Sequence, residues 1–188
     1  SNISTYAYIN SNKFILGTTL GMIEVGIYDL ADKIVSLAKQ PQYIIAQGIF
    51  PKISRYKNFD DIIKFSKISL GVSCLIILLI FLGADTFISL FIEENKIEII
   101  YILKVLSITI PLVTISGLIV NNLFIAFNDL RSYLITVLSG LIFYCFGTFV
   151  LIKYSNFTLQ TAAWNNVLVE IIVVFVAFIY VKRNRNYV

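Results

Sequence analysis

Four apolar runs, at residues 68–82, 99–123, 133–152 and 162–181, constrain this chain more than any other feature, because each stays largely apolar through at least four helical turns. A bilayer core holds no water, so every backbone N–H and C=O in such a run must be satisfied within the segment, and helix is the conformation left open. Composition agrees, since 58% of the 188 residues are hydrophobic and 14% are charged. In a soluble domain about a quarter are charged. The sequence predicts an all-α, polytopic membrane protein, with residues 1–188 forming a single transmembrane domain.

Two more polar candidate spans come first, at about residues 4–20 and 25–50, joined by a short Gly21-Met22-Ile23-Glu24 turn. That makes about six spans and leaves no length for a separate soluble domain. The chain opens on Ser1 and its single methionine is Met22, so it reads as a piece of a longer protein. Its first residues lack the basic segment, apolar core and small-residue cleavage site of a signal peptide, which leaves insertion to the spans themselves.

The loops are asymmetric in charge. Lys52, Arg55, Lys57, Lys64 and Lys67 follow the second span, Arg131 follows the fourth, and Lys182, Arg183 and Arg185 form the tail. The alternate loops hold Asp85, Glu93, Glu94 and Glu98 against Lys96, or Lys153 alone. Cytoplasmic loops retain Lys and Arg, so the first set, the C-terminus included, is expected inside. This topology accounts for the net charge of +4 without nucleic acid as a partner. The chain has no histidine, which excludes a histidine general base, a Ser-His-Asp triad and the commonest zinc sites. Cys74 and Cys145 fall within apolar runs and are not expected to form a disulfide. No catalytic residue, metal or cofactor is called for.

Polar residues in the second span are the most informative. On a continuous helix Asp29, Asp32, Lys33, Ser36, Lys39, Gln40, Tyr43 and Gln47 fall within an arc of about 120°. The stripe rises about 27 Å, nearly the depth of a bilayer core. An ionised side chain at mid-bilayer costs about 2.5 to 3.5 kcal/mol even on a mild scale, so this wall is expected to line a water-filled cavity or polar interior. Two plainer arrangements remain open: a helix lying flat in the interface, and simple neutralisation of Asp29 by Lys33. Pro41 is placed to kink the helix. In the fourth span Lys104, Ser107, Pro111, Thr114 and Asn122 share one side with Asn121 at its edge, as a transport path or as hydrogen-bond glue between helices. In the sixth, Asn166 and Glu170 sit one turn apart below the interfacial Trp164, making Glu170 an ion site or one half of a structural salt bridge. The first span carries Asn12 and Lys13 among polar residues on more than one face, which limits its contact with lipid.

The stretch Glu24-Val25-Gly26-Ile27-Tyr28-Asp29-Leu30-Ala31-Asp32-Lys33-Ile34-Val35, followed by Ile49-Phe50-Pro51-Lys52-Ile53-Ser54-Arg55, resembles the polysaccharide flippases of the Wzx type. The preceding Asn12-Lys13-Phe14-Ile15-Leu16-Gly17 matches the polar helix and Leu-Gly turn that come before this pattern in that family. The resemblance is concentrated in residues 4–55. It implies a MATE-like transporter of two six-helix lobes in the bacterial inner membrane, with this chain as the C-terminal lobe. It further implies a substrate, undecaprenyl diphosphate-linked oligosaccharide, moved between leaflets for surface polysaccharide (O-antigen or capsule) synthesis. The implied partners are membrane lipids, the N-terminal lobe, a polysaccharide polymerase and a chain-length regulator. Under the resemblance Lys33 and Lys39 face the substrate, with Asn12, Lys13, Gln40, Gln47, Lys104, Asn121 and Asn122 as further cavity candidates. Asp29, Asp32 and Glu170 then hold those cations or couple an ion. Two other readings stay open, a small-molecule exporter of the same superfamily and a membrane enzyme acting on lipid-linked sugars.

Overall fold

A computed structural model describes residues 13–57, 59–154 and 157–183. The regular structure among the described residues is helical throughout, with no strand. Helix α1 covers residues 13–19, followed by α2 (Met22–Ala38), α3 (Gln40–Tyr56) and α4 (Phe59–Phe91). Then come α5 (Lys96–Ser107), α6 (Thr109–Ser116), a π-helix at Gly117–Phe124, α7 (Leu130–Lys153) and α8 (Leu159–Arg183).

Four helical stretches are long and apolar enough to cross a membrane: Ile62–Phe91, Lys96–Phe124, Leu130–Lys153 and Leu159–Arg183. The shortest has 24 residues and rises about 36 Å, more than the roughly 30 Å of a bilayer core. Their outward faces carry large apolar side chains, Leu82 at 73% exposure and Phe146 at 64% among them, the reverse of a water-facing surface. The chain is therefore an all-α, polytopic membrane protein.

The expected spans need two corrections, and one span falls largely outside the described residues. Most of the first, residues 4–20 with Asn12, lies outside the described residues, of which only 13–19 are seen as helix. The turn that follows is tighter than expected: Leu20 and Gly21 make it, Gly21 at φ 130, a conformation open to glycine, and Met22 to Glu24 already form the first turn of α2. The second span is not one helix. It breaks at Lys39 into α2 and α3, because Pro41 has no N–H for the carbonyl of Leu37. At 17 residues each, neither half is among the stretches long and apolar enough to cross a membrane, and α2 packs at one end of the bundle while α3 packs at the other, so the pair runs along the bundle.

Other boundaries follow from local chemistry. Pro111 leaves the carbonyl of Ser107 without its helical donor, and α5 gives way to α6 there. Asn95 and Asn128 adopt the left-handed conformation that asparagine tolerates in turns. Asp129 caps α7 by accepting from Ser132 N at 3.0 Å and Ser132 Oγ at 2.7 Å. Thr158 and Thr161 cap α8 reciprocally, each hydroxyl accepting from the other's backbone N–H at 2.8 and 3.2 Å.

Helices α7 and α8 approach closely along a stripe of Ser132, Thr136, Gly140, Tyr144 and Thr148, all buried and four residues apart. A Cβ on Gly140 would stand 2.7 Å from Val173 Cγ2, and one on Gly147 would overlap the side chain of Asn165. Small residues let the backbones close in, and Asn165 Nδ2 donates across the seam to Thr148 Oγ1 at 3.2 Å.

The apolar interior is split in two. One cluster, around Leu16, Tyr28, Val35, Ile88, Ile102, Leu106 and Val167, joins α1, α2, α4, α5 and α8 at the end that carries Glu93 and Glu94. The other, around Ile49, Ile53, Ile62, Leu123, Phe124 and Ala177, joins α3, α4, the π-helix and α8 at the opposite end. That opposite end gathers the basic residues. Lys52 lies over the Phe65 ring at 5.8 Å and Lys57 over the Phe127 ring at 5.9 Å, tying the α3–α4 connection to the turn before α7. Of the basic residues read as loop, Lys52, Arg55, Lys64, Lys67 and Arg131 are in fact within helices, near their ends. At the acidic end Trp164 Nε1 donates to the hydroxyl of Tyr101 at 3.1 Å, as amphipathic rings do at an interface.

One expected outcome follows directly. In a cysteine-free chain, single cysteines at Lys64 and Arg131 will react with an impermeant thiol reagent from the same side of sealed vesicles. Cysteines at Lys96 and Lys153 will react from the other side; labelling of all four from one side contradicts this topology.

Candidate functional site

Between the two apolar cores lies a groove of about 320 Å³. Its near wall is one face of α3 with the break before it: Lys39, Gln42, Tyr43, Ala46 and Gln47. Those positions recur at the three- and four-residue steps of a helix, so they stack on one side. The far wall is α6 and the π-helix, with Thr114, Asn121 and Asn122 among Ile110, Val113 and Ile125. The π-helix shifts the register of this wall, and π turns of this kind recur at functional sites. Asn122 Nδ2 donates to the carbonyl of Ala46 at 2.9 Å and fixes the distance between the walls.

Lys39 is the charged residue on the groove wall, and its ammonium is within electrostatic reach of Glu170 and Asp32. The amides of Gln47 and Asn121 and the ring of Tyr43 complete the polar lining. Such a surface offers a cation to an anionic group and amide donors and acceptors to hydroxyls, with an aromatic face beside them.

Of the residues singled out in the sequence, Lys39, Tyr43, Gln47, Thr114, Asn121 and Asn122 meet in this groove. The others do not line it. Lys13 bonds Asp29 at 2.5 Å and Asp32 at 3.4 Å, and Lys33 bonds Asp29 at 2.7 Å while its side chain is 70% exposed. The α2 half of the stripe is thus an ion-pair cluster with α1, as the neutralisation reading had it, and Lys33 stands away from the groove. Gln40 is exposed outside it. Lys104 pairs with Asp85 at 2.7 Å between α5 and α4. Glu170 is 8% exposed on α8, one turn below Asn166, whose Nδ2 donates to the hydroxyl of Tyr28 at 3.3 Å. Lys104→Ala is accordingly expected to leave any activity of the groove unchanged and to lower stability by less than about 1 kcal/mol, since Asp85 is largely exposed. Thermal melting of the purified variant checks this.

Gln42 is the functional residue that sequence reasoning missed. It falls outside the polar arc, but it lies one helical turn after Lys39 and stands on the same groove wall, 5% exposed. A polar residue next to Pro41 was the available signal. Compared with known proteins, the chain matches no family model, no curated protein and no solved structure.

Proposed function

We propose that this chain is the C-terminal lobe of a transporter that moves an undecaprenyl diphosphate-linked oligosaccharide between the leaflets of the bacterial inner membrane. In this reading both C-terminus and basic end are cytoplasmic, and the groove is this lobe's half of the path. The observation that carries it is the placing of Lys39 with Gln47 and Asn121 along one open groove between two apolar cores. A lysine on a flexible stem suits a mobile phosphate, and the amides suit the hydroxyls of the attached sugars. A polar, water-accessible wall at this depth is costly in lipid and is kept where a polar cargo passes. The resemblance of residues 4–55 to Wzx-type flippases supplies the carrier lipid and the pathway partners, a polymerase and a chain-length regulator.

A second reading has one observation in its favour. About 320 Å³ falls in the usual range for a small-molecule pocket, which suits an exporter of small amphipathic compounds. The experiment that separates the two is complementation. In a strain lacking its own flippase and supplied with the matching sugar-synthesis genes, this chain joined to its N-terminal lobe is expected to restore surface polysaccharide. Correct insertion with no polymer, together with resistance to small toxic cations, would favour the exporter.

A further inference from the structure

The break at Lys39 is held by a buried polar chain. With its side-chain nitrogen toward the break, Gln42 donates to the carbonyls of Ala38 at 3.1 Å and Lys39 at 3.0 Å, and its oxygen accepts from Ser73 Oγ at 3.2 Å. This is the orientation in which both ends of the amide are satisfied. Ser73 Oγ lies 2.9 Å from Thr114 Oγ1. A hydroxyl has one proton to give, so with Ser73 donating to Gln42, Thr114 donates to Ser73. The chain Gln42–Ser73–Thr114 therefore ties the first turn of α3 to α4 and α6 at the level of the groove.

We infer that Gln42 is the positioning residue for Lys39: its amide holds the backbone that places Lys39 on the groove wall. The inference deepens the proposed function and rests on it only for the identity of the cargo. Pro41 prevents the break from closing into regular helix, since it has no N–H to offer. Without Gln42 the Ala38 and Lys39 carbonyls lose the side-chain donor on the α4 side, and the Lys39 carbonyl is left with the Tyr43 N–H alone, at 3.3 Å. The loss is local. When Gln42 is replaced, Ser73 Oγ turns its proton to the Ser69 carbonyl at 2.8 Å and Thr114 Oγ1 turns its own to that of Ile110 at 2.8 Å, so neither is stranded. Leucine fills nearly the same buried volume as glutamine, which spares the packing. Gln42 thus separates position from stability more cleanly than most buried polar residues.

The test uses the full chain in lipid nanodiscs, with Cys74 and Cys145 replaced by alanine. The rate of reaction with 2-sulfonatoethyl methanethiosulfonate is measured at Lys39→Cys and, as a control, at Gln47→Cys, each with and without Gln42→Leu. Gln42→Leu should slow labelling at position 39 about tenfold, the factor that corresponds to about 1.4 kcal/mol. It should leave position 47 and the melting temperature unchanged. Ser73→Ala, which removes the partner of the amide oxygen, should slow position 39 by a smaller factor. An unchanged rate at 39, equal slowing at 39 and 47, or a chain that melts early or fails to insert would each overturn the proposal, the last by making Gln42 structural. Labelling needs no cargo, so selective slowing in a chain that restores no polysaccharide keeps the role of Gln42 and removes only the flippase reading.

Discussion

Replacing Lys39 by alanine is expected to reduce polysaccharide export in complemented cells by about 10- to 150-fold, the equivalent of one charge-assisted contact worth about 1.5 to 3 kcal/mol. Lys39 is the charged residue on the groove wall, so its loss leaves an anionic cargo with amides alone. Lys33→Ala, six positions before the break, should change export little, because that ammonium is largely exposed and faces Asp29 at 2.7 Å. Lys39→Arg should retain part of the activity, since the charge is kept while the rigid fork of a guanidinium replaces a point charge. The contrast between positions 39 and 33 is the informative result. Equal losses at both would mean that any cation in this stretch serves, and that the groove is not where the cargo is held. Quantifying surface polymer against protein level in the membrane checks it.

The largest effect on stability is expected at Gly147. A Cβ there already overlaps the side chain of Asn165, and a leucine would drive α7 from α8 and break the Asn165–Thr148 hydrogen bond. Overpacking together with a lost buried hydrogen bond puts the cost of Gly147→Leu at about 2 to 4 kcal/mol. At about 2 to 4 °C for each kcal/mol, the melting temperature in mild detergent should fall by about 5 to 15 °C. Gly83→Leu is the control, because nothing lies within 4 Å of a Cβ added there and the helix faces outward. Thermal unfolding followed by circular dichroism separates the two. A Gly147→Leu chain as stable as the control would mean that α7 and α8 do not meet along this seam.

How much of this was legible in the sequence depends on the kind of signal. The four apolar runs each became a helical stretch long and apolar enough to cross a membrane, because in lipid a long apolar segment has no other way to satisfy its backbone. Their ends were not legible. The run at residues 68–82 continues as helix from Phe59 to Phe91, since Lys64, Lys67 and Asp85 are compatible with helix and sit where a bilayer gives way to water. Hydropathy reads the apolar core of a helix and not its length. Pro41 marked the break in the second span, yet the polar arc was drawn across that break as though the helix were continuous. Gln40 and Lys33 were grouped with Lys39 while Gln42 was not because the groove face is centred near Lys39 and Ala46, toward one edge of the polar arc. The π-helix at Gly117–Phe124 leaves no mark in periodicity, because one added residue per turn over eight residues is lost among apolar neighbours. Asn121 and Asn122 were nevertheless identified, since adjacent amides inside an apolar run are conspicuous whatever the helix type. The Lys104–Asp85 pair joins two helices, and a single-helix view of Lys104 has no access to that partner.

The measurement that bears most directly on the proposed path is leaflet exchange in sealed proteoliposomes containing this chain joined to its N-terminal lobe. Undecaprenyl diphosphate-linked oligosaccharide, labelled on its sugar, is loaded in one leaflet and its appearance in the other is read by an impermeant reagent that attacks the sugar. Exchange that is fast with Lys39 present and falls to the protein-free rate with Lys39→Ala is the predicted result. No exchange above the protein-free rate, while a small amphipathic cation accumulates in the same vesicles, would contradict the account and make the groove an exporter's.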